Sequence, residues 1–239
     1  MTPDSRRKTR PPRKGDVAAD KAVYDSIRRA MHMGRLPPGA RLQEPVLARV
    51  LKVSRERVRK ALHRLVHEGW LEAVPNRGTV VPALSVDDIR EIYEVRALLE
   101  AGIVRRLSAA IAPDQKRKLK AHVRQERVAI RRDDRASLFA LSGRFHVLLA
   151  ELCGNAQLAH LLGGLLARST MHFSLSAPAR FHNCAGPHDH GDIVAAIAAG
   201  KTERASRLML AHLTGLVEMQ SARPPTRGPV DLAEAFRGL

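Results

Sequence analysis

The sequence predicts a mostly α chain in two parts, a small N-terminal head of three helices with a β-hairpin and a larger all-α bundle of about six helices. Three observations predict it. Apolar residues take helical spacing from about Val17 to His67. Residues 71–81 break into two short apolar strands around an Asn- and Gly-bearing turn. From Val86 onward only helical periodicity remains.

In the head, Val23, Ile27, Ala30 and Met31 fall on one face of a first helix, which Gly34 and Pro37-Pro38-Gly39 stop. A short second helix carries Val46, Leu47, Val50 and Leu51. Lys52-Val53-Ser54 is a turn, and Ser54 is placed to cap the next helix. That third helix runs from about Arg55 to His67. Its stripe Val58, Ala61, Leu62, Leu65 and Val66 is core-facing, and Gly69 ends it. Leu71–Val74, the turn Pro75-Asn76-Arg77-Gly78 and Thr79–Val81 form the hairpin. Three helices and a hairpin make a winged helix-turn-helix.

The bundle segments lie at about 86–110, 114–132, 135–153, 156–175, 187–199 and 202–221, with Pro113 and Gly200 as punctuation. The expected organisation is therefore a disordered basic arm at 1–16, the head at 17–84, the bundle at 85–221 and a flexible tail at 222–239. The two cysteines, Cys153 and Cys184, form no CxxC pair and no disulfide framework, which fits a reducing, cytoplasmic setting. No apolar run approaches the ~20 residues that span a bilayer, and the basic N-terminus lacks the apolar core of a secretory signal.

Charge points to a polyanionic partner. The chain carries a formal net charge of +17, and residues 1–84 hold 19 Lys and Arg against 8 Asp and Glu. One end of the chain thus holds most of the excess, as docking on phosphates requires. In a helix-turn-helix the second helix of the motif enters the major groove with its N-terminal residues on base edges. Here that helix opens Ser54-Arg55-Glu56-Arg57-Val58-Arg59. Arg55 and Arg59, one turn apart, share a face turned away from Val58 and Leu62. An outward Arg grips guanine or phosphate, and Ser54 either contacts phosphate or simply caps the helix. Arg77 and Gly78 form a wing tip able to approach the backbone or minor groove. Arg57, Arg41 and Arg49 complete the candidate DNA-binding set.

These residues carry a resemblance. Leu36-Pro37-Pro38-Gly39, Leu42-Gln43-Glu44-Pro45, Val53-Ser54-Arg55, Val58-Arg59-Lys60-Ala61-Leu62, Glu68-Gly69 and Pro75-Asn76-Arg77-Gly78 resemble the GntR family across nearly all of residues 17–83. The resemblance implies a homodimer on a short palindromic operator of double-stranded DNA, usually repressing until an effector binds.

Residues 86–220 look like the FCD effector domain of the FadR subgroup, through Tyr93-Glu94-Val95-Arg96 with Glu100, Phe145-His146, Gly154-Asn155, Asp189-His190, Ala196–Gly200 and Ala211-His212-Leu213. That likeness implies a divalent metal, Zn or Ni, held by His146, His190 and His212, and imidazole suits such ions. The sequence departs from the pattern at Ser142, one turn before His146, where the family has an Asp ligand. A hydroxyl is a poorer ligand than a carboxylate, so weakened binding is expected. His188 and Asp189 are a possible substitute. The likeness also gives Arg96 the role of binding a carboxylate effector, against the plainer reading of an ion pair with Glu100.

The reading is a ligand-responsive repressor and not an enzyme. Two alternatives stand beside it. One is a metal-dependent enzyme on the three-His site, against which there is no HExxH, no GxSxG and no evident acid near the histidines other than Asp189. The other is an architectural DNA binder without an effector, which leaves the large bundle unexplained.

Overall fold

A computed structural model describes residues 14–176, 190–221 and 230–238. The head begins with α1 (Lys14–His32), α2 (Glu44–Val50) and α3 (Arg55–His67), followed by β1 (Glu72–Val74) and β2 (Gly78–Val80). The apolar stripes predicted from spacing meet in one core that contains Val23, Ile27, Met31, Leu47, Val58, Leu62 and Leu65. The third helix has the expected bounds because its start is capped. Ser54 is extended and its hydroxyl accepts from the Arg57 backbone N–H at 3.4 Å.

The hairpin is antiparallel, pairing Glu72 with Val80 and Val74 with Gly78. Asn76 (φ 60°) and Gly78 (φ 76°) sit in the left-handed region, which Asn and Gly tolerate best. This chemistry turns the strands in three residues. Arg41 bridges to Val80 and extends the wing by one step.

The bundle comprises α4 (Val86–Ala109), α5 (Pro113–Arg131), α6 (Arg135–Leu152), α7 (Ala156–Ser176), α8 (His190–Ala198) and α9 (Thr202–Ser221). A capping box fixes the start of α4: Ser85 N–H donates to Asp88 at 2.7 Å, and Asp88 N–H donates to the Ser85 hydroxyl at 3.1 Å. Pro113 opens α5, where a missing N–H costs nothing. Asn155 accepts from the N–H groups of Gln157 and Leu158 at the start of α7, a capping role. The long α4 packs against α6, α7, α8 and α9, so its inward residues reach the middle of the bundle. The core there includes Ile89, Ile103, Phe145, Leu162, Ile193 and Met209.

Both ends differ from the sequence expectation. Helix α1 already runs at Lys14, inside the segment expected to be a disordered arm. After the bundle the chain returns to the head. In α10 (Leu232–Ala235), which Asp231 caps, Leu232, Ala235 and the following Phe236 are buried in the head core. Arg35 donates to the Arg237 carbonyl at 2.8 Å. So residues 230–238 are ordered structure where a flexible tail was expected. Cys184, His188 and Asp189 lie outside the described residues. Among the described residues no helix is long and apolar enough to cross a membrane.

Candidate DNA interface and metal centre

Five of the candidate DNA-binding residues lie exposed in two groups. Arg49 on α2 and Arg55 on α3 line one shallow groove with Pro45, Ala48 and Val53. Arg41, Arg77 and Gly78 form the other, around the wing, where a Cβ added at Gly78 would lie 4.0 Å from Arg41 Nε. Ser54 is exposed at the helix start, its oxygen engaged in the cap.

Two of the predicted arginines are occupied within the head. Arg59 lies on the surface but forks onto Glu44 of α2, with Nη2 to Oε2 at 3.0 Å and Nε to both oxygens at 3.2 Å. Arg57 turns towards α1, where its Nε lies 3.8 Å from Asp20. Hence Arg55, together with Arg49, presents its charge outward, whereas Arg59 must exchange Glu44 for any other anion. Water screens the Arg59 side of the pair, so an anionic DNA group can compete with Glu44 for it.

In the bundle, His146 from α6, His190 from α8 and His212 from α9 converge. One nitrogen from each lies within 4.8 Å of the other two, and all three side chains are buried. His190 Nε2 and His212 Nε2 are 3.3 Å apart. Phe145 stacks on the His190 ring with centroids 3.8 Å apart and fixes its plane. Ser142 is buried one turn before His146.

Two glutamates stand behind the histidines, and sequence reasoning missed both in this role. Glu100 of α4 accepts a short hydrogen bond from His146 Nδ1, and Glu126 of α5 accepts one from His190 Nδ1 at 2.8 Å. Each bond fixes the tautomer, so Nε2 keeps its lone pair for the cluster. Burial works against the Glu100 charge, but the His146 ring and Arg96 outweigh it and hold the carboxyl at about 2. Glu126 is held at about 2 as well, burial again being overcome by hydrogen bonds from His122 and His190. His146 moves down, because loss of solvation exceeds the pull of Glu100, and this favours the neutral imidazole a metal requires.

Three buried imidazoles are donor chemistry that suits a divalent cation, and one pair of them already has the spacing it uses. Two nitrogens on a tetrahedral zinc at ordinary bond lengths lie about 3.3 Å apart, and the His190–His212 separation is 3.3 Å. Carboxylate-backed imidazoles are the usual support for such an ion.

Arg96 forms the internal ion pair. Its Nε meets Glu100 at 2.8 Å, Nη1 donates to Ser169 at 3.2 Å, and the guanidinium lies 4.5 Å from the Tyr93 ring centroid. Its Nη2 is buried and makes no hydrogen bond of normal geometry to the described residues. The chain Arg96–Glu100–His146 therefore joins the only predicted effector contact to the histidine cluster.

Comparison with known families decides the identity. The model of the bacterial regulatory proteins of the gntR family matches residues 19–81, and that of the FCD domain matches residues 91–215. The chain belongs to the GntR family, with an FCD domain. Among curated GntR-type relatives, an HTH-type transcriptional regulator from the TAR-I ttuE-ttuC' intergenic region of Agrobacterium vitis is 37% identical over 119 residues, covering 50% of this chain and 64% of its own. The HTH-type transcriptional repressor RspR of Escherichia coli K12 is 31% identical over 137 residues, covering 57% of this chain and 60% of its own. The chain thus spans somewhat under two thirds of either relative. A GntR transcriptional regulator from Rhodococcus sp. RHA1 has the same fold, with a TM-score of 0.71 at 26% identity, covering 86% of this chain and 98% of that one.

Proposed function

We propose that this GntR-family chain is a ligand-responsive transcriptional repressor, binding a palindromic DNA operator as a homodimer and released by a small organic acid. The observation that carries the reading is the joint presentation of Arg49 and Arg55 in one groove of the helix-turn-helix, with Arg41, Arg77 and Gly78 at the wing. The capped start of α3 aims its first turn outward, as major-groove reading needs. Ser54 and the wing residues take phosphates, and Arg55 takes a base edge, joined by Arg59 once it leaves Glu44. Arg57, turned towards Asp20, supports the helix more than the DNA.

In the bundle, His146, His190 and His212 are the proposed ligands of a divalent cation, Zn or Ni, supported by Glu100 and Glu126. Such an ion supplies a Lewis-acidic anchor for an anionic effector. Arg96 offers Nη2 to the same carboxylate while Glu100 holds its guanidinium in place. The two glutamates serve His Nδ1 atoms, so neither is a free base of the kind an enzymatic reading needs. An effector acts by binding one arrangement of the dimer better than the other.

The test is operator release. A fragment selected from random DNA by the protein is bound, and small mono- and dicarboxylates are added to metal-loaded and metal-stripped protein. The reading expects at least one acid to weaken DNA binding only when metal is present and Arg96 intact. No release by any acid, with DNA binding otherwise specific, overturns the effector half.

A further inference from the structure

A second cavity, of about 550 Å³, lies between the head and the bundle and shares no lining residue with the histidine cluster. Arg28 of α1, the end of α3 and Trp70 form one side, and α6 and α7 form the other. Trp70, Phe139, Val147 and Leu166 provide apolar surface. Arg28 lies over the Trp70 ring, 4.7 Å from its centroid. Glu68, the one carboxylate in the lining among the described residues, is held by Tyr24 and Arg64. Arg28, which donates to Tyr24 at 3.5 Å, and Arg144, paired with Glu151, are the cationic side chains that line the cavity.

The glycines of α7 add a second observation. A Cβ built on Gly163 or Gly164 meets no atom of the described residues within 4 Å, although both line the cavity. Glycine inside a helix costs about 1 kcal/mol relative to alanine, and here no packing neighbour demands it. Their missing side chains leave room against the apolar wall.

We propose that this junction cavity binds a small aromatic carboxylate, its ring beside Trp70 and its carboxylate on Arg28 and Arg144. An arginine fork matches a carboxylate. Arg144 now forks onto Glu151 in a pair whose side chains are 48% and 46% exposed, so the ligand competes with a solvent-screened carboxylate for the same guanidinium. The site also touches the joint between the two domains. Gly69, at φ 78°, packs so closely on Gly164 that a Cβ would lie 3.3 Å from its backbone. A ligand that bridges this joint favours one orientation of the head, and thus alters DNA affinity, by its differential affinity for the two arrangements. The proposal does not rest on the metal or on Arg96.

Calorimetric titration of the full chain with 2-naphthoate tests it, with 2-naphthalenemethanol as the neutral isostere. Trp70 is the only tryptophan in the sequence, so its emission reports occupancy of this cavity. Saturable binding that perturbs Trp70 is expected, with at least tenfold weaker binding of the alcohol. Gly163→Leu, whose Cβ meets no described atom within 4 Å, adds bulk to the cavity and should weaken naphthoate at least tenfold. Arg144→Gln should do so severalfold, and excess chelator should leave the affinity of the wild-type chain unchanged. Absence of saturable binding, wild-type affinity in both Gly163→Leu and Arg144→Gln, or loss of binding in chelator overturns the proposal. Equal binding of the alcohol overturns its carboxylate half.

Discussion

Replacing Glu100 by glutamine isolates the buried charge network of the bundle. Arg96 and Glu100 are 2% and 1% exposed and lie 2.8 Å apart. Gln retains the shape and one acceptor but removes the charge, which leaves Arg96 as a buried cation beside neutral groups, Ser169 and Tyr93 among them. Breaking a buried pair in this way costs about 3–5 kcal/mol. For a domain of this size each kcal/mol lowers the melting temperature by about 2–4 °C, so a fall of roughly 6–20 °C is expected. Thermal unfolding by circular dichroism in excess chelator removes any contribution from metal. Replacing both partners, as Arg96→Met with Glu100→Leu, removes the uncompensated charge and should recover much of the loss. A Glu100→Gln melting point within about 2 °C of wild type, well short of the shift expected for a broken buried pair, would refute the assignment of this pair as an uncompensated charge once broken.

Other perturbations follow from the same geometry. His190→Ala and His212→Ala should abolish Zn or Ni binding in equilibrium dialysis, while Glu126→Gln weakens it by about 10–100-fold with the ligands intact; unchanged affinity in Glu126→Gln contradicts the tautomer argument. Ser142→Asp should lower stability in chelator, where a buried carboxylate is unpaired, and raise metal affinity. The reverse pattern means residue 142 does not face the ion. Phe236→Ala should lower the stability read from the Trp70 fluorescence transition in urea by about 3–5 kcal/mol, because residues 230–238 pack into the head core. No change in that transition would show that residues 230–238 do not stabilise the head.

Much of this was legible because period and punctuation agree. The stripe from Val58 to Leu65, capped by Ser54 and ended at Gly69, gives α3 with the bounds read from sequence, and the six bundle helices follow Pro113, Gly154 and Gly200 in the same way. His146, His190 and His212 were placed by resemblance, since three histidines spread over 67 positions of chain carry no local spacing signal. Glu126 was not legible. In Arg124-Gln125-Glu126-Arg127 it reads as one charge on a solvated face, and only the packing of α5 on α8 brings it to His190. The Arg59–Glu44 fork is likewise tertiary, joining two helices across the turn at Ser54. Residues 230–238 were hidden by the Pro- and Gly-rich composition just before them, although Leu232, Ala235 and Phe236 have the spacing of one apolar helix face.

The central claim is that α3 reads DNA. Fluorescence anisotropy with a labelled fragment from upstream of the protein's own gene tests it most directly, at several salt concentrations and against a scrambled fragment of equal length. The wild-type chain should prefer the upstream fragment by about 10³-fold or more, and its affinity should fall steeply as salt rises. Arg55→Ala combined with Arg59→Ala should erase the preference and leave only weak, salt-sensitive binding. Undiminished preference in the double variant would contradict the account.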